Sequence, residues 1–252
     1  MINIKYDWEF NVMDIYNYRL PGPYDSYFDF IRNNHNNMDG DILESGVFRG
    51  RTLIATALLL KELGSDKIVY GYDSFNGFPP TYNEKDDLNS FYKLFELNII
   101  TKDHLESVKK NISLKKYLNK SITNSSNISN SGDFSDTNKK SLESKIKYLE
   151  IDNIQLVEGV FSETMINATG PNVIFACMLD CDLYRSYLDT LNFVWPLLNK
   201  GGLIQLDEYY SLKFPGARFA CDEFFSNKKI HLFKSKIPST DQFERWSVIK
   251  LN

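Results

Sequence analysis

Apolar runs of strand length alternate with longer runs of helical periodicity through much of the chain. Residues 50–64 and 186–202 repeat their apolar positions at the spacing of a helix, and each run ends in glycine. Strands that alternate with helices predict βαβ crossovers and a mostly parallel sheet covered on both faces. The strands predicted from these runs are 40–47, 66–73, 153–160, 172–180 and 202–209.

The end of the chain follows a different pattern. Two more strand-like runs, 229–236 and 245–251, are separated only by the segment IPSTDQFE. This connection is too short for a helical crossover, so the two strands should pair antiparallel at one side of the sheet. The pattern therefore predicts an α/β fold with a seven-stranded, mostly parallel sheet and an antiparallel C-terminal pair.

Two segments lie outside this alternation, within what we expect to be a single domain over 1–252. Residues 1–39 are rich in Tyr, Phe and Asn and predict a helical N-terminal cap. Residues 81–150 form an insertion, which we expect to act as a lid. Within it, 119–141 is almost entirely Ser, Asn, Asp and Lys, a composition that cannot bury a core and predicts a disordered surface loop.

Composition narrows the classes of partner. The chain has 252 residues, 42% of them hydrophobic, which allows a sizeable core. Its 29 basic and 33 acidic residues give a net charge of −4, and no long basic stripe interrupts the sequence. A nucleic-acid or membrane partner is therefore not expected.

Cysteine usage and hydropathy bear on the compartment. Cys177, Cys181 and Cys221 are an odd and small number, which indicates a reducing compartment rather than a disulfide scaffold. No run approaches the roughly 18–20 apolar residues of a membrane span. The first residues lack the basic-then-apolar order of a signal peptide, so we expect a cytoplasmic protein.

The connection LESGVFRGRT between the first strand and its helix predicts a ligand-binding turn. Gly46 and Gly50 permit a tight turn and the close approach of a ligand to the backbone, although glycines at such turns can also be purely structural. Asp73 ends the second strand, where an acid can bind the hydroxyls of a ribose or can instead form an Asx turn. The glycine spacing suits a ligand with a ribose but no phosphates.

Four acids follow two neighbouring strands. Asp180 and Asp182 end the fourth predicted strand, and Asp207 and Glu208 end the fifth. Because parallel strands place their carboxyl ends at the same edge of a sheet, these acids should gather in the crevice where such sheets bind ligands. Asp180, Asp207 and Glu208 could surround a hard divalent cation, and all four could instead cap helices. Asp182, directly before a helical pattern, suits a cap or a substrate contact.

Seven segments of the chain resemble, in order, the motifs of the macrocin O-methyltransferase family. They are GDILESGVFRGRT, YGYDSFNGFPP, VEGVFSETM, MLDCDLYRSYLDTL, LLNKGGLIQLDEYY, GARFACDEFF and ERW. The resemblance covers roughly residues 40–80 and 153–247. It implies a Rossmann-like class I methyltransferase fold, S-adenosylmethionine as methyl donor and Mg²⁺ as a second cofactor.

The resemblance also assigns roles to individual residues. Glu44, Gly46 and Gly50 match the motif near the methionine part of the cofactor, Asp73 matches the ribose-binding acid, and EGVFSET matches the segment lining the adenine. Asp180, Asp207 and Glu208 fall where this family, and the similar catechol O-methyltransferases, hold magnesium. The full set expected to bind the cofactor is Glu44, Gly46, Gly50, Thr52, Asp73, Ser74, Gly159, Phe161 and Asp180.

Some positions depart from the family pattern. Arg185 and Tyr187 replace the Glu and Thr of the family's DLYEST segment, and Glu208 replaces the second Asp of its DDY segment. Arg185 therefore predicts a different acceptor. Leu183 stands where the catechol enzymes carry a lysine base, so the base is unassigned. Asp182 and a histidine from a mobile cap are the two candidates for it, and Asp180 and Asp182 are the residues expected to take part in catalysis.

The resemblance implies O-methylation of a hydroxyl on a sugar or a glycosylated natural product, with a small hydroxylated molecule as the acceptor. Two alternatives remain open at this stage: a nicotinamide-dependent oxidoreductase on the same sheet, and a nucleoside-binding module without catalysis. The absence of a third glycine and the gathered carboxylates argue against the first. The aromatic N-terminal segment could pair two chains into a homo-oligomer.

Overall fold

Seven strands form one mixed sheet in the computed structural model, which describes residues 4–80, 82–166, 170–237 and 243–252. The strand order is β3-β2-β1-β4-β5-β7-β6. Strands β1 to β5 pair in parallel, whereas β7 lies antiparallel between β5 and β6, so the predicted α/β fold and its antiparallel C-terminal pair are confirmed. The strands are β1 Asp41–Ser45, β2 Val69–Asp73, β3 Ile154–Glu158, β4 Ile174–Leu179, β5 Leu198–Ser211, β6 Ile230–Lys234 and β7 Phe243–Lys250.

Helices cover both faces of the sheet. Within the described residues, two α-helices lie in the N-terminal segment, three lie in the 81–150 insertion together with a short 3-10 helix at Glu84–Asp86, and the others follow β1, β3, β4 and β5. None of the described helices combines the length and the apolar character needed to cross a bilayer. The helices are α1 Asp7–Val12, α2 Asp25–Asn34, α3 Arg51–Glu62, α4 Ser90–Glu96, α5 Lys102–Asn119, α6 Lys139–Tyr148, α7 Phe161–Thr164, α8 Tyr184–Leu197 and α9 Pro215–Phe225.

The central strands serve two separate hydrophobic cores, which explains why they are apolar at almost every position. Neighbouring residues of a strand point to opposite faces of the sheet, so a strand buried on both sides has no polar face. The cross-strand row of Ile42, Ala176 and Leu203 belongs to the core under α2 and α3. The next row of Leu43, Cys177 and Ile204 belongs to the core under α8 and α9.

The helix predicted over 186–202 differs from the observed one. Helix α8 begins two residues earlier and ends at Leu197, and β5 starts at once with Leu198 in an extended conformation. Pro196 lies in the last turn, where its ring fixes the backbone and removes a hydrogen-bond donor. The glycines at 201–202 therefore belong to β5, and they do not end the helix as the pattern suggested.

The insertion is built around its own apolar cluster, which includes Leu94 and Phe214. Between Lys120 and Asn138, where composition predicted a disordered loop, the chain has no helix or strand but contains several turns. Ile128 in this stretch is fully buried, and the Ser125 hydroxyl donates to the carbonyl of Asp86. A few contacts thus connect a strongly polar segment to the body of the protein.

Candidate functional site

Three carboxylates meet at one edge of the sheet. Asp180 follows β4, while Asp207 and Glu208 lie in β5, and one oxygen from each of the three lies within 4.8 Å of the others. Strands β4 and β5 are paired in parallel up to Leu179 and Leu206, so the residues that follow reach the same level. The structure therefore brings together the three acids that the sequence nominated for a metal.

The two acids of β5 lie within the strand rather than at its end. Between Leu206 and Tyr210 the pairing of β5 with β7 loses its regular register. Over this stretch β5 runs four residues, whereas β7 runs only two, from Trp246 to Glu244. Such an irregularity bends the strand and redirects the side chains of the extra residues. Asp207 and Glu208 occupy this stretch, which aims both of them toward Asp180.

Side chains from distant parts of the chain hold two of these acids. The hydroxyl of Tyr24, in the N-terminal cap, donates to Asp207 Oδ1 at 2.5 Å. The guanidinium of Arg245, on β7, forms a buried salt bridge to the same oxygen, with Nε 2.7 Å away. The hydroxyl of Tyr187, on α8, donates to Glu208 Oε2 at 2.5 Å and accepts the Glu208 backbone N–H.

The structure shows where the residues that depart from the family pattern lie. Tyr187 is fully buried and contacts Glu208, so two of the three substituted positions form one hydrogen-bonded pair. Arg185 does not approach the acids, because its side chain is 72% exposed and pairs with Asp189 one helical turn away. The prediction that Arg185 signals a different acceptor therefore has no support from its position.

Burial dominates the electrostatics of the cluster. It raises the pKa of Asp180 from 3.8 to about 8, with a further contribution from the nearby Asp207 and an opposing one from Arg245. Burial likewise raises the pKa of Glu208 well above its usual value, and Asp207 adds to the shift. Carboxyl groups so arranged resist ionisation unless a positive charge joins them, and this donor set fits a hard divalent cation.

Asp182 lies beside the cluster without joining the group of three. Its backbone is left-handed, with φ of 59°, which is uncommon outside glycine, and its side chain is buried. It does not cap α8, because the Leu183 backbone occupies the N-cap position and Asp86 Oδ1 accepts the Tyr184 N–H at 2.7 Å. The helix-cap interpretation of Asp182 is therefore wrong, and Asp86 of the insertion provides the cap.

The glycine-rich turn packs directly against the acid cluster. Gly46 has φ of 82°, and a Cβ at this position would overlap the carbonyl of Asp180. The Asp180 backbone N–H donates to the Ser45 carbonyl at 3.0 Å, which continues the pairing of β4 with β1 one residue beyond the end of β4. Gly50, with φ of 78°, is the N-cap of α3. The turn and the metal-type cluster consequently form one continuous site.

Asp73 connects the turn to the end of β2. Its Oδ2 accepts the N–H groups of Val47 and Phe48 at 2.7 and 2.8 Å, and its Oδ1 accepts the Phe75 N–H at 2.6 Å. The last contact is the Asx turn that the sequence left open. The next residue, Ser74, donates to the Gly77 carbonyl at 3.0 Å, so both residues shape the backbone of this edge.

Glu44 is a buried acid with unused hydrogen-bonding capacity. Its Oε1 accepts from the Thr52 hydroxyl at 2.7 Å, whereas Oε2 has no hydrogen-bond partner among the described residues. Burial raises its pKa well above the usual value. A buried acceptor without a partner is costly, so the position fits a ligand that brings a donor or a positive charge, as the ammonium group of S-adenosylmethionine does.

The remaining residues nominated for the cofactor lie beside Asp73. The Gly159 N–H donates to the Asp73 carbonyl at 2.9 Å, and Phe161 begins the short helix α7. From the insertion, Thr137 donates to the Phe48 carbonyl at 2.6 Å, and the ring of Phe134 packs edge-on against that of Phe48 at 5.4 Å. The insertion thus covers part of the glycine-rich turn.

Comparison with known proteins shows to which family the chain belongs. The model of the family described as Macrocin-O-methyltransferase (TylF) matches residues 29–152 and 135–245. The chain belongs to this family. The matched residues include every residue nominated for the cofactor and the metal, whereas Tyr24 precedes them.

Individual relatives are more distant. A mycinamicin III 3''-O-methyltransferase of Micromonospora griseorubida is 28% identical over 189 residues, which are 73% of this chain and 60% of the relative. The structure of the O-methyltransferase NovP has a TM-score of 0.60 at 17% identity and covers 90% of this chain and 80% of its own. The structure of the O-methyltransferase TomG from Streptomyces achromogenes in complex with SAM has a TM-score of 0.54 at 10% identity. The match covers 100% of this chain and 93% of TomG. These chains share the class I methyltransferase fold.

Sequence reasoning found the acids but not the side chains that hold them. Tyr24 lies 183 residues from its partner Asp207, and nothing in its local sequence signals the contact. Arg245 lies in the ERW segment, to which the family resemblance assigns no role. Tyr187 departs from the family pattern, but its contact with Glu208, 21 residues away, has no local signal in the sequence.

Proposed function

We propose that the protein is an S-adenosylmethionine-dependent O-methyltransferase that holds Mg²⁺ and methylates a hydroxyl of a sugar or of a glycosylated natural product. The supporting observation is the contact between the three-carboxylate cluster and the glycine-rich turn, because it places a metal-type site beside a cofactor-type site. Family membership and the printed activity of the mycinamicin relative support the acceptor class.

Each part of the site has a role in this proposal. Glu44 and the turn at Gly46 bind the methionine end of the cofactor, Asp73 and Ser74 lie at the ribose, and Gly159 and Phe161 lie at the adenine. When bound, S-adenosylmethionine supplies a sulfonium methyl group. Three backbone N–H groups already hold the Asp73 carboxylate in place, so a ribose hydroxyl would donate a further hydrogen bond to a fixed acceptor.

The acids orient the acceptor. Asp180, Asp207 and Glu208 would hold Mg²⁺, which would supply a Lewis acid beside the acceptor hydroxyl. The acceptor oxygen would have to lie in line with the methyl group that S-adenosylmethionine would supply, with sulfur as the leaving group, and the hydroxyl proton would pass to a base. Burial and the neighbouring Asp180 raise the pKa of Asp182, so Asp182 would accept this proton only where the positive charge of a bound Mg²⁺ keeps it ionised, while Asp180 would help to hold the metal.

Asp207→Asn tests the proposal, with Asp189→Asn as the matched control. Asp189 is an acid of α8 that pairs with the exposed Arg185, so the control changes the same charge away from the cluster. Both variants are assayed for transfer of labelled methyl groups to a panel of glycosides and nucleotide sugars, with Mg²⁺ or with chelator. We expect Asp207→Asn to fold but transfer nothing and Asp189→Asn to match the wild type. Full activity of Asp207→Asn in chelator would refute the metal-dependent mechanism.

A further inference from the structure

The end of α5 carries apolar side chains that are exposed and that none of the described residues covers. Leu114, Tyr117 and Leu118 are 54%, 81% and 68% exposed, and Ile122, just beyond the helix, is 82% exposed. Residues three and four apart lie on the same face of a helix, so the first three are contiguous. We call these four residues the α5 patch.

The rest of α5 shows that the patch is not simply a poorly packed helix. Val108, Asn111 and Lys115 of the same helix are buried. The Asn111 side chain donates to the Leu212 carbonyl at 3.1 Å, and His104 Nε2 lies 2.9 Å from the Ser211 carbonyl. The helix is therefore anchored to the end of β5, three residues beyond Glu208, and its last turns present apolar side chains to the outside.

Basic residues surround the patch. The segment from 107 to 132 contains five lysines and no acid, whereas the whole chain has a net charge of −4, so the remainder carries −9. Lys110, Lys116 and Lys120 are exposed, and Lys110 lies one turn before Leu114 on the same face. Lys109 pairs with Glu106, just before this segment, and Lys115 is buried, so Lys110, Lys116 and Lys120 are the cations that a partner could reach.

We propose that the α5 patch docks the protein on an anionic lipid bilayer. An amphipathic helix lies in a membrane interface by inserting its apolar residues among the acyl chains while its lysines meet the acidic headgroups. Three of the four patch residues, Leu114, Leu118 and Ile122, are aliphatic and would not stack on bases; Tyr117 is the one aromatic among them, fewer than a single-stranded nucleic acid typically needs. A second copy of the chain would bring like charges together, which disfavours a dimer through this surface.

The inference does not rest on the proposed methyl transfer. Vesicle binding can be measured on the full chain without cofactor, metal or acceptor, so failure of one proposal is distinguishable from failure of the other.

Co-sedimentation with vesicles tests the charge component. The probes are vesicles of phosphatidylcholine alone and vesicles that also contain phosphatidylglycerol. We expect binding only to the second kind, weakening as salt is added. The triple variant Lys110→Gln, Lys116→Gln and Lys120→Gln should bind up to roughly 100-fold more weakly, since each lysine near an acidic surface contributes about fivefold.

A control removes the same charge elsewhere. Lys140, Lys147 and Lys229 are exposed lysines outside α5, and their replacement by Gln should leave vesicle binding at the wild-type level. If both triple variants bound vesicles equally weakly, binding would depend on the overall charge of the protein and not on the α5 patch, which would overturn the proposal.

The apolar component is tested separately. Tyr117→Ser combined with Leu118→Ser should weaken binding by roughly tenfold or more, because both side chains would enter the interface. Tyr148→Ser, at an exposed tyrosine of α6, is the control. All the substituted side chains are exposed, so circular dichroism should be unchanged. Absence of wild-type binding to acidic vesicles, a patch-dependent dimer in size-exclusion chromatography, or binding of an oligonucleotide but not of vesicles would each overturn the proposal.

Discussion

Tyr24→Phe isolates the contribution of the N-terminal cap to the acid cluster. The substitution removes one hydroxyl and leaves a ring of nearly the same size in its buried position. The hydroxyl donates to Asp207 Oδ1 at 2.5 Å, and the guanidinium of Arg245 lies 5.0 Å from the centre of the same ring. The variant therefore leaves the Arg245 salt bridge as the remaining described contact on this oxygen.

The expected magnitudes follow from the type of hydrogen bond. A hydrogen bond to a charged acceptor contributes about 1.5–3 kcal/mol to the free energy of unfolding, so Tyr24→Phe should lower stability by about that amount. Outer-shell partners of metal ligands typically contribute about 10–100-fold in metal affinity, because they fix the orientation of the ligand. We therefore expect calorimetric titration with Mg²⁺ to show a loss in that range.

Tyr18→Phe is the matched control for this experiment. Tyr18 lies in the same N-terminal segment, is also buried, and donates to the Glu62 carboxylate at 2.6 Å, on α3 and outside the acid cluster. The Tyr18→Phe variant should lower the free energy of unfolding by a similar amount without changing the affinity for Mg²⁺. If the two variants bound Mg²⁺ equally well, the assignment of Tyr24 as a positioning residue would be refuted.

Two further predictions concern the elements around the site. Burial raises the pKa of Asp86 from 3.8 to about 6. The protonated Asp86 therefore stabilises the folded state fully below pH 3.8, and this stabilisation is lost as the pH rises through about 6. The free energy of unfolding should fall by up to roughly 3 kcal/mol over this window. Asp86→Asn, which keeps an oxygen for the Tyr184 N–H, should flatten the pH dependence of the unfolding free energy over that window, and an unchanged profile in denaturant titrations would contradict this. Gly46→Ala should abolish S-adenosylmethionine binding in calorimetry, because the added methyl group overlaps the Asp180 carbonyl and the left-handed backbone disfavours it; wild-type affinity would show that the turn is free to move.

The elements whose prediction succeeded are those with a local signature. Strand β4 is apolar along its whole length and is followed by Asp180, and the turn at Gly46 needs a residue without a side chain. These features depend on neighbours in sequence. The end of α8 was misplaced because the apolar pattern continues smoothly from the helix into β5, so periodicity alone could not locate the boundary at Leu197.

By itself, the sequence determined the alternation of strands and helices, the glycine-rich turn and the three acids, because backbone conformation and side-chain periodicity act over a few residues. Tertiary structure alone decided that Tyr24 and Arg245 meet at Asp207, that the register shift in β5 turns two acids toward a third, and that Asp86 caps a helix 98 residues away. These contacts join residues far apart in the chain. They arise from how the cap, the insertion and the sheet edge pack together, which no local propensity encodes.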